Sequence, residues 1–348
     1  MTADAVGGVW TYAVELGGAL GDRGHDVTLA ICGPAPSADQ CGQAEAAGLR
    51  ILPDELPLDW LCDEAAPVVA GSERLAELAR GFDLLLLNSP ALAAHGNFSI
   101  PVIAVAHGEV GTWWDAVGAD GEVAASFGWL LKLIGQGLRR AAQVVTPTAA
   151  YGTMLRHRYA LNVQPLTVYN GRTPLNLPSP RGERPLALTV GRFWDRAKNI
   201  GIVNEAAALR SLPIHAVGSA TGPHGEQADL SQLHHLGSIA PLQLAALLAE
   251  RPVFVSSATY EPFGLAALEA AQAGCPLILS DIPTFRELWE GAATFVAPHD
   301  AQGFAKAIDD PQVSGRAAQE RASRYTVDAM TDRMLDVIAS ALPQRCAA

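Results

Sequence analysis

Cysteine is scarce and unpatterned, with five residues at positions 32, 41, 62, 275 and 346 of a 348-residue chain. An odd count without CxxC spacing supplies neither a disulfide framework nor a zinc site, and it fits a reducing compartment. No apolar run approaches the roughly 18 residues needed to span a membrane. No basic stretch followed by an apolar one opens the chain, so no secretory leader is expected and a cytoplasmic location is. Basic residues are also few: 24 Lys and Arg stand against 36 Asp and Glu, a net charge of −12. That balance excludes a broad nucleic-acid-binding surface and argues against whole-surface attraction to anionic lipid. There is no convincing DxD, HExxH or Cys/His cluster, so no catalytic metal is implied. The absence of a GxGxxG followed by an acid weakens a dehydrogenase reading, and the absence of GxSxG removes support for a hydrolase.

What is present reads as an α/β protein. Hydrophobic residues make up 49% and charged residues 17% of the chain, which suits a globular fold and excludes wholesale disorder. The length suffices for two domains, each with its own core. Short β-rich runs alternate with helical patterns throughout. Strands are expected at 27–32, 49–52, 82–88, 101–107, 143–148 and 166–169, and then at 185–191, 213–218, 234–239, 252–257, 276–280 and 293–297. Near-continuous apolar strands separated by helices imply parallel sheets buried on both faces. The Pro-rich, polar stretch 172–183 reads as a linker between the two domains.

The start of the chain departs from this pattern. Gly7-Gly8-Val9 opens a loop that leads at once into an amphipathic helix (10–23) and a strand. A Rossmann-like domain carries a strand before its first glycine loop, because that strand sets the loop at the sheet's carboxyl edge. Only residues 1–6 are available for it, and only Ala5 and Val6 look strand-like. The expectation is a first strand lacking most of its length; the alternative is that residues 1–6 form a stub of it. Glycine in the loop lets the backbone approach a ligand closely and tolerates positive φ.

The most informative run is Glu261-Pro262-Phe263-Gly264-Leu265-Ala266-Ala267-Leu268-Glu269, after an apolar strand and before the helix stop at Gly274 and Pro276. A helix start presents free N–H groups and a positive dipole end, which suit a phosphate. Glu261 lies before the helix and Glu269 on it, both able to accept hydrogen bonds from hydroxyls. Leu268, Ala270 and Ala271 flank Glu269, so its carboxylate is expected in a partly buried setting that needs a partner.

A second run, Gly191-Arg192-Phe193-Trp194-Asp195-Arg196-Ala197-Lys198-Asn199, also follows a strand and precedes a helix. Arg192 as a fork and Lys198 as a point charge can neutralise a diphosphate, while Arg196 reads as surface charge. His107 closes a strand ahead of Gly108-Glu109, where a side chain points into the ligand crevice of a doubly wound sheet. Gly218-Ser219 and Gly237-Ser238-Ile239 end the next two strands of the second half. Trp113 and Trp114, in what reads as a glycine-rich loop, can stack on a sugar ring or plug a core. The stretch 126–140 has helical apolar spacing, read as core packing over membrane contact. Asn170-Gly171 reads as a structural turn.

Taken together, these motifs resemble those of the retaining GT-B glycosyltransferases of family 4, with the Glu261/Glu269 pair as the E-x7-E signature. The resemblance implies two Rossmann-like, doubly wound parallel-sheet domains facing a central cleft: residues 1–171 on the acceptor side, 172–325 on the nucleotide-sugar side, and 326–348 as a helix crossing back. It implies metal-independent, retaining transfer of a sugar from a nucleoside-diphosphate sugar to a hydroxyl acceptor, with no cofactor beyond the donor. Arg192 and Lys198 would stabilise the leaving diphosphate, Glu261 would contact the donor sugar, and His107 would touch the sugar or its phosphate. Glu269 would bind the ribose. Gly8, Gly191, Phe263, Gly264 and Leu265 would bring backbone close to the donor, and Gly218, Ser238 and Ile239 would meet the base. The rival readings are a GT-B nucleotide-sugar epimerase and a nucleotide-sugar-binding protein whose catalysis is impaired.

Overall fold

The computed structural model describes residues 1–118, 127–180, 187–223 and 225–342. The chain divides into two compact units, Met1–Gly171 with Val327–Ala348, and Arg172–Thr326.

Among its described residues the first unit contains seven short parallel strands. β1 (Thr2–Asp4), β2 (Thr28–Cys32) and β3 (Arg50–Leu56) pair in that order, as do β4 (Leu85–Leu87), β5 (Val102–Val105), β6 (Gln143–Thr146) and β7 (Leu166–Thr167). Asn88, just past β4, ties the two sets together: its backbone N–H donates to Thr2 Oγ1 (2.8 Å) and its side-chain amide to Thr2 O (2.6 Å). Residues 1–6 thus supply a three-residue strand, in parallel register with Ala30–Cys32, and Thr2 and Ala3, not Ala5 and Val6, form its body. The helices are α1 (Gly8–Asp22), α2 (Ala38–Ala46), α3 (Ala65–Leu78), α4 (Val110–Val117), α5 (Gly128–Arg140), α6 (Ala149–Tyr159) and α13 (Val327–Ala341). Met330, Met334 and Val337 of α13 share a core with Leu16 and Leu20 of α1 and with Ile103 and Val105 of β5. Burying such side chains contributes about 1.5–3 kcal/mol each, so α13 is an integral part of this unit.

The second unit is a single six-stranded sheet. It comprises β8 (Ala187–Val190), β9 (Ile214–Val217), β10 (His234–Gly237), β11 (Val253–Ser256), β12 (Leu277–Ser280) and β13 (Thr294–Val296), ordered β10-β9-β8-β11-β12-β13 and parallel throughout. Its helices are α7 (Ile200–Ala208), α8 (Pro241–Ala249), α9 (Leu265–Gln272), α10 (Pro283–Trp289), α11 (Ala301–Asp309) and α12 (Gly315–Ala322). Strand order reverses between β8 and β11. The connections leaving β8 and β11 therefore diverge at their carboxyl ends and open a crevice between them. The two informative runs of the sequence are these two connections.

Each of the twelve expected segments carries a strand, although residues 185 and 186 of one lie outside the described residues. Two readings need correction. The strand expected at 49–52 continues to Leu56. Trp113 and Trp114 lie on the helix α4, not in a loop, and Trp114 is buried with its ring edge-on to Trp113 at 4.7 Å. An apolar helix face seats Trp114 in the core, which favours packing over sugar stacking for that residue. Residue 126 of the expected 126–140 helix lies outside the described residues; the remainder forms α5, with Leu130, Leu133, Ile134 and Leu138 buried.

Candidate active site

Glycine makes the close approach between β8 and β9 possible. Gly218, at the end of β9, has φ +134°, and a Cβ there would lie 1.9 Å from Gly191 O. No other residue fits without moving the backbone. Gly191 N–H donates to Val217 O (3.0 Å) and Gly218 N–H to Gly237 O (2.9 Å), which aligns the carboxyl ends of β8, β9 and β10. Ser238 follows, exposed, and Ile239 packs partly onto the core.

The connection after β8 is held by its own polar groups. Asp195 Oδ1 accepts from Ala197 N–H (2.9 Å) and caps a single 3-10 turn, Arg196–Lys198. Asn199 then takes the left-handed conformation (φ +51°), which a short amide side chain tolerates better than most. Its amide donates to Ser257 O (3.0 Å) and Pro298 O (2.7 Å), while Ser257 Oγ donates to Asn199 O (2.8 Å). Thr259 N–H donates to Ala197 O (2.9 Å). The two connections at the switch point are thus laced together. The lacing sets Lys198 Nζ 2.6 Å from Glu261 Oε2, with both side chains about four-fifths buried. Arg192 stays exposed, its guanidinium 5.4 Å above the Trp194 ring, and Arg196 is exposed as well.

After Glu261 the chain turns through Gly264 (φ +88°) into α9. A Cβ at Gly264 would stand 3.0 Å from the Phe285 ring and 3.2 Å from Glu261 Cγ. No side chain caps α9, which leaves its positive end for an anion. Phe263 is buried with its ring against Tyr325 (5.7 Å), and Leu265 packs on the same core. For these two residues only the backbone is a plausible ligand contact, because the side chains belong to the interior. Glu269, one to two turns along α9, pairs with Arg172: Nε to Oε1 is 2.7 Å, with 20% and 15% of the side chains exposed. Arg172 is itself anchored, its carbonyl accepting from Gln272 Nε2 (2.8 Å) and its N–H donating to Tyr325 O (3.3 Å). The sequence reading treats Arg172 only as the start of a linker. No local signal connects it to a carboxylate 97 positions away.

The remaining candidates lie in the first unit. Gly7 caps α1 in an extended conformation (φ −150°), so this loop does not require positive φ. Asp4 Oδ1 accepts from Val6 and Gly7 N–H groups (3.1 and 3.2 Å), and Gly8 is exposed at the helix start. His107 Nε2 lies 2.9 Å from Asn88 Oδ1. The Asn88 amide nitrogen is already donating to Thr2 O, so its Oδ1 must accept and His107 carries its proton on Nε2. Burial pushes the imidazole down to about 4. His107 therefore offers a neutral ring with an Nδ1 lone pair, suited to accept from a hydroxyl and not to meet a phosphate as a cation.

Residues 6–172 match the family described as Glycosyltransferase Family 4, and residues 184–310 match that described as Glycosyl transferases group 1. The chain belongs to glycosyltransferase family 4. It is 27% identical over 373 residues to glycogen synthase of Mycobacterium tuberculosis, covering 93% of this chain and 87% of the relative. Its fold matches sucrose-phosphate synthase from Thermosynechococcus elongatus with a TM-score of 0.76 at 21% identity, covering 97% and 94% of the two chains. It also matches Anabaena HepE in complex with UDP-glucose, with a TM-score of 0.75 at 19% identity, covering 98% and 100%. The two parallel-sheet units are those of the GT-B fold. Among the described residues no helix is long and apolar enough to cross a membrane, and no group of three or more His, Cys, Asp or Glu is placed to hold a metal ion.

Proposed function

We propose that this glycosyltransferase moves a hexose from a nucleoside-diphosphate sugar to a hydroxyl acceptor with retention of anomeric configuration, and without a metal. The observation that carries the reading is the Lys198–Glu261 pair, 2.6 Å apart, set at the switch point beside the uncapped start of α9. A donor's diphosphate carries negative charge that grows as the anomeric C–O bond breaks. Lys198, Arg192 and the N–H groups at Gly264 and Leu265 are the positive groups within this region that can stabilise it. Lys198 would then turn from Glu261 toward phosphate, freeing the carboxylate to accept from hydroxyls of the sugar.

The acceptor oxygen attacks the anomeric carbon on the face that the diphosphate leaves. It forms the new glycosidic bond while its proton passes to a phosphate oxygen of the departing nucleoside diphosphate. No protein nucleophile is needed, so Glu261 positions the sugar. Glu269 Oε1 is taken by Arg172, and its Oε2 can accept from ribose hydroxyls. Gly218, Ser238 and Ile239, at the ends of β9 and β10, would meet the base largely through backbone groups. The neutral His107 would accept from a substrate hydroxyl through Nδ1.

HepE binds UDP-glucose, so UDP-glucose is the first donor to test. Thermal unfolding with UDP-, GDP-, ADP- and TDP-sugars should show one clear stabilisation, since a ligand of the native state contributes according to its concentration over its dissociation constant. No shift with any of them would overturn the reading.

A further inference from the structure

The first unit holds a pocket of about 90 Å³ at the carboxyl ends of β1, β4 and β5. Asp4, Asp59, Asn88, Ser89, His107 and Glu109 contribute to its lining, and no lysine or arginine does. Asp59 is buried and accepts from Ser89 Oγ (2.9 Å) and Trp60 N–H (2.8 Å). Glu109 is 92% buried by its 8% exposure. It stands at the N-cap of α4, where a carboxylate ordinarily accepts from its own helix's N–H groups, yet it makes no such bond. Its main-chain groups are engaged, N–H by Tyr151 Oη (2.9 Å) and C=O by Thr112 Oγ1 (2.9 Å). Its carboxyl has no hydrogen-bond partner among the described residues. A buried carboxyl without a partner is destabilising, and a bound ligand would offset that.

We propose that this pocket takes an uncharged, polyhydroxylated acceptor and turns away acceptors that carry a phosphate. The inference rests on the glycosyltransferase reading and adds the acceptor's chemical class. Hydroxyl groups can donate to Glu109 and Asp59 and to the His107 lone pair, and they can accept from Ser89 Oγ. A phosphate would find no lysine or arginine in the lining to balance its charge. Burial, followed by the charge of Asp59, pushes Glu109 well above the usual carboxylate range. A protonated Glu109 can in addition donate to a sugar oxygen. Burial likewise raises Asp59, against the hydrogen bonds from Ser89 and Trp60. An ammonium group would also be accommodated electrostatically, but it brings fewer acceptors for a protonated carboxyl.

The test uses the full chain with methyl α-glucoside, glucosamine and glucose 6-phosphate, read by saturation-transfer NMR at millimolar concentration and by nucleotide release in the presence of donor. The neutral glucoside should bind at least about ten-fold better than the phosphate, since a charge taken out of water without a partner is strongly disfavoured. Val9→Lys and Trp60→Lys, which bring a cation to the lining at partly exposed positions, should each narrow that ratio several-fold, with folding checked by circular dichroism. Equal or better binding of glucose 6-phosphate, a ratio unchanged in both variants, or no binding of any probe overturns the proposal. Glucosamine binding best overturns the uncharged class in favour of amines. Donor-induced thermal shifts test the functional reading separately: they can fail while the pocket binds, or hold while it does not.

Discussion

In the second unit the two carboxylates at the carboxyl edge of the sheet each meet a cation, Glu261 with Lys198 at 2.6 Å and Glu269 with Arg172 at 2.7 Å. In the first unit Asp59 and Glu109 share a pocket whose lining has neither lysine nor arginine. The difference follows from the ligand each would serve. A nucleoside-diphosphate sugar brings both negative charge and hydroxyls, and a paired site can offer its cation to one and its carboxylate to the other. A neutral acceptor brings hydroxyls alone, and unpaired buried carboxyls suffice for those. On the proposed function, the same residue type would be a handle for the sugar or ribose in one unit and part of an uncharged-acceptor pocket in the other. What separates the two is whether the fold supplies a partner.

The largest expected effect comes from breaking the paired side. Lys198→Ala should lower kcat by about 100- to 1,000-fold, the scale of losing one charge-stabilising group at a developing anion. Because the same change strips Glu261 of its partner, the control is the cycle with Glu261→Gln. If the two act as a unit, the double variant should lose little more than the worse single. Unaltered turnover in Lys198→Ala, with a confirmed acceptor, would mean that the pair is only structural.

The unpaired side is tested by acid. With His107 at about 4 in the folded chain and near 6.5 when unfolded, the unfolded state binds the extra proton between those values. Native stability should therefore fall as pH drops from 6.5 toward 4, by up to about 3 kcal/mol. That fall toward acid should be lost in His107→Gln, measured by denaturant unfolding at several pH values, leaving the opposite trend of Glu109. A fall toward acid that survives this substitution would place the titration elsewhere. Glu109 has the opposite sign: its raised pKa removes stability as pH rises above the ordinary carboxylate range, and Glu109→Gln should flatten that loss.

Much of the geometry at the switch point of the second unit was legible because its signals are local. Strand, glycine, turn cation and helix start are contiguous in 187–200 and 253–272, so period and turn chemistry place them without knowledge of the fold. The apolar flanks of Glu269 even announce that it needs a partner. They cannot name Arg172, which arrives from a segment whose prolines and polar residues read as linker. The first-unit pocket was less legible still. Asp4, Asp59 and Glu109 come from three separate strand ends, and each alone looks like an ordinary surface acid. Only the parallel orders β1-β2-β3 and β4-β5, pinned to each other by Asn88 on Thr2, draw them together. The expectation that the first glycine loop uses positive φ is not met at Gly7, which is extended, whereas Gly218 cannot be replaced without displacing Gly191.

The smallest effect sharpens the comparison most. Arg172→Ala should weaken binding of UDP-glucose about ten-fold, or about 1.4 kcal/mol, with a smaller change in kcat. The carboxylate of Glu269 would lose the guanidinium that fixes its rotamer, and ribose binding would have to supply that ordering. Arg172→Lys should recover only part of the affinity, because an ammonium on a flexible stem does not reproduce the planar fork. Calorimetry with UDP-glucose and with UDP alone separates the possibilities, since ribose is present in both. A loss shared by both ligands locates the effect at Glu269. A loss confined to UDP-glucose would move it to the sugar, and then pairing at Glu269 would no longer set the two units apart.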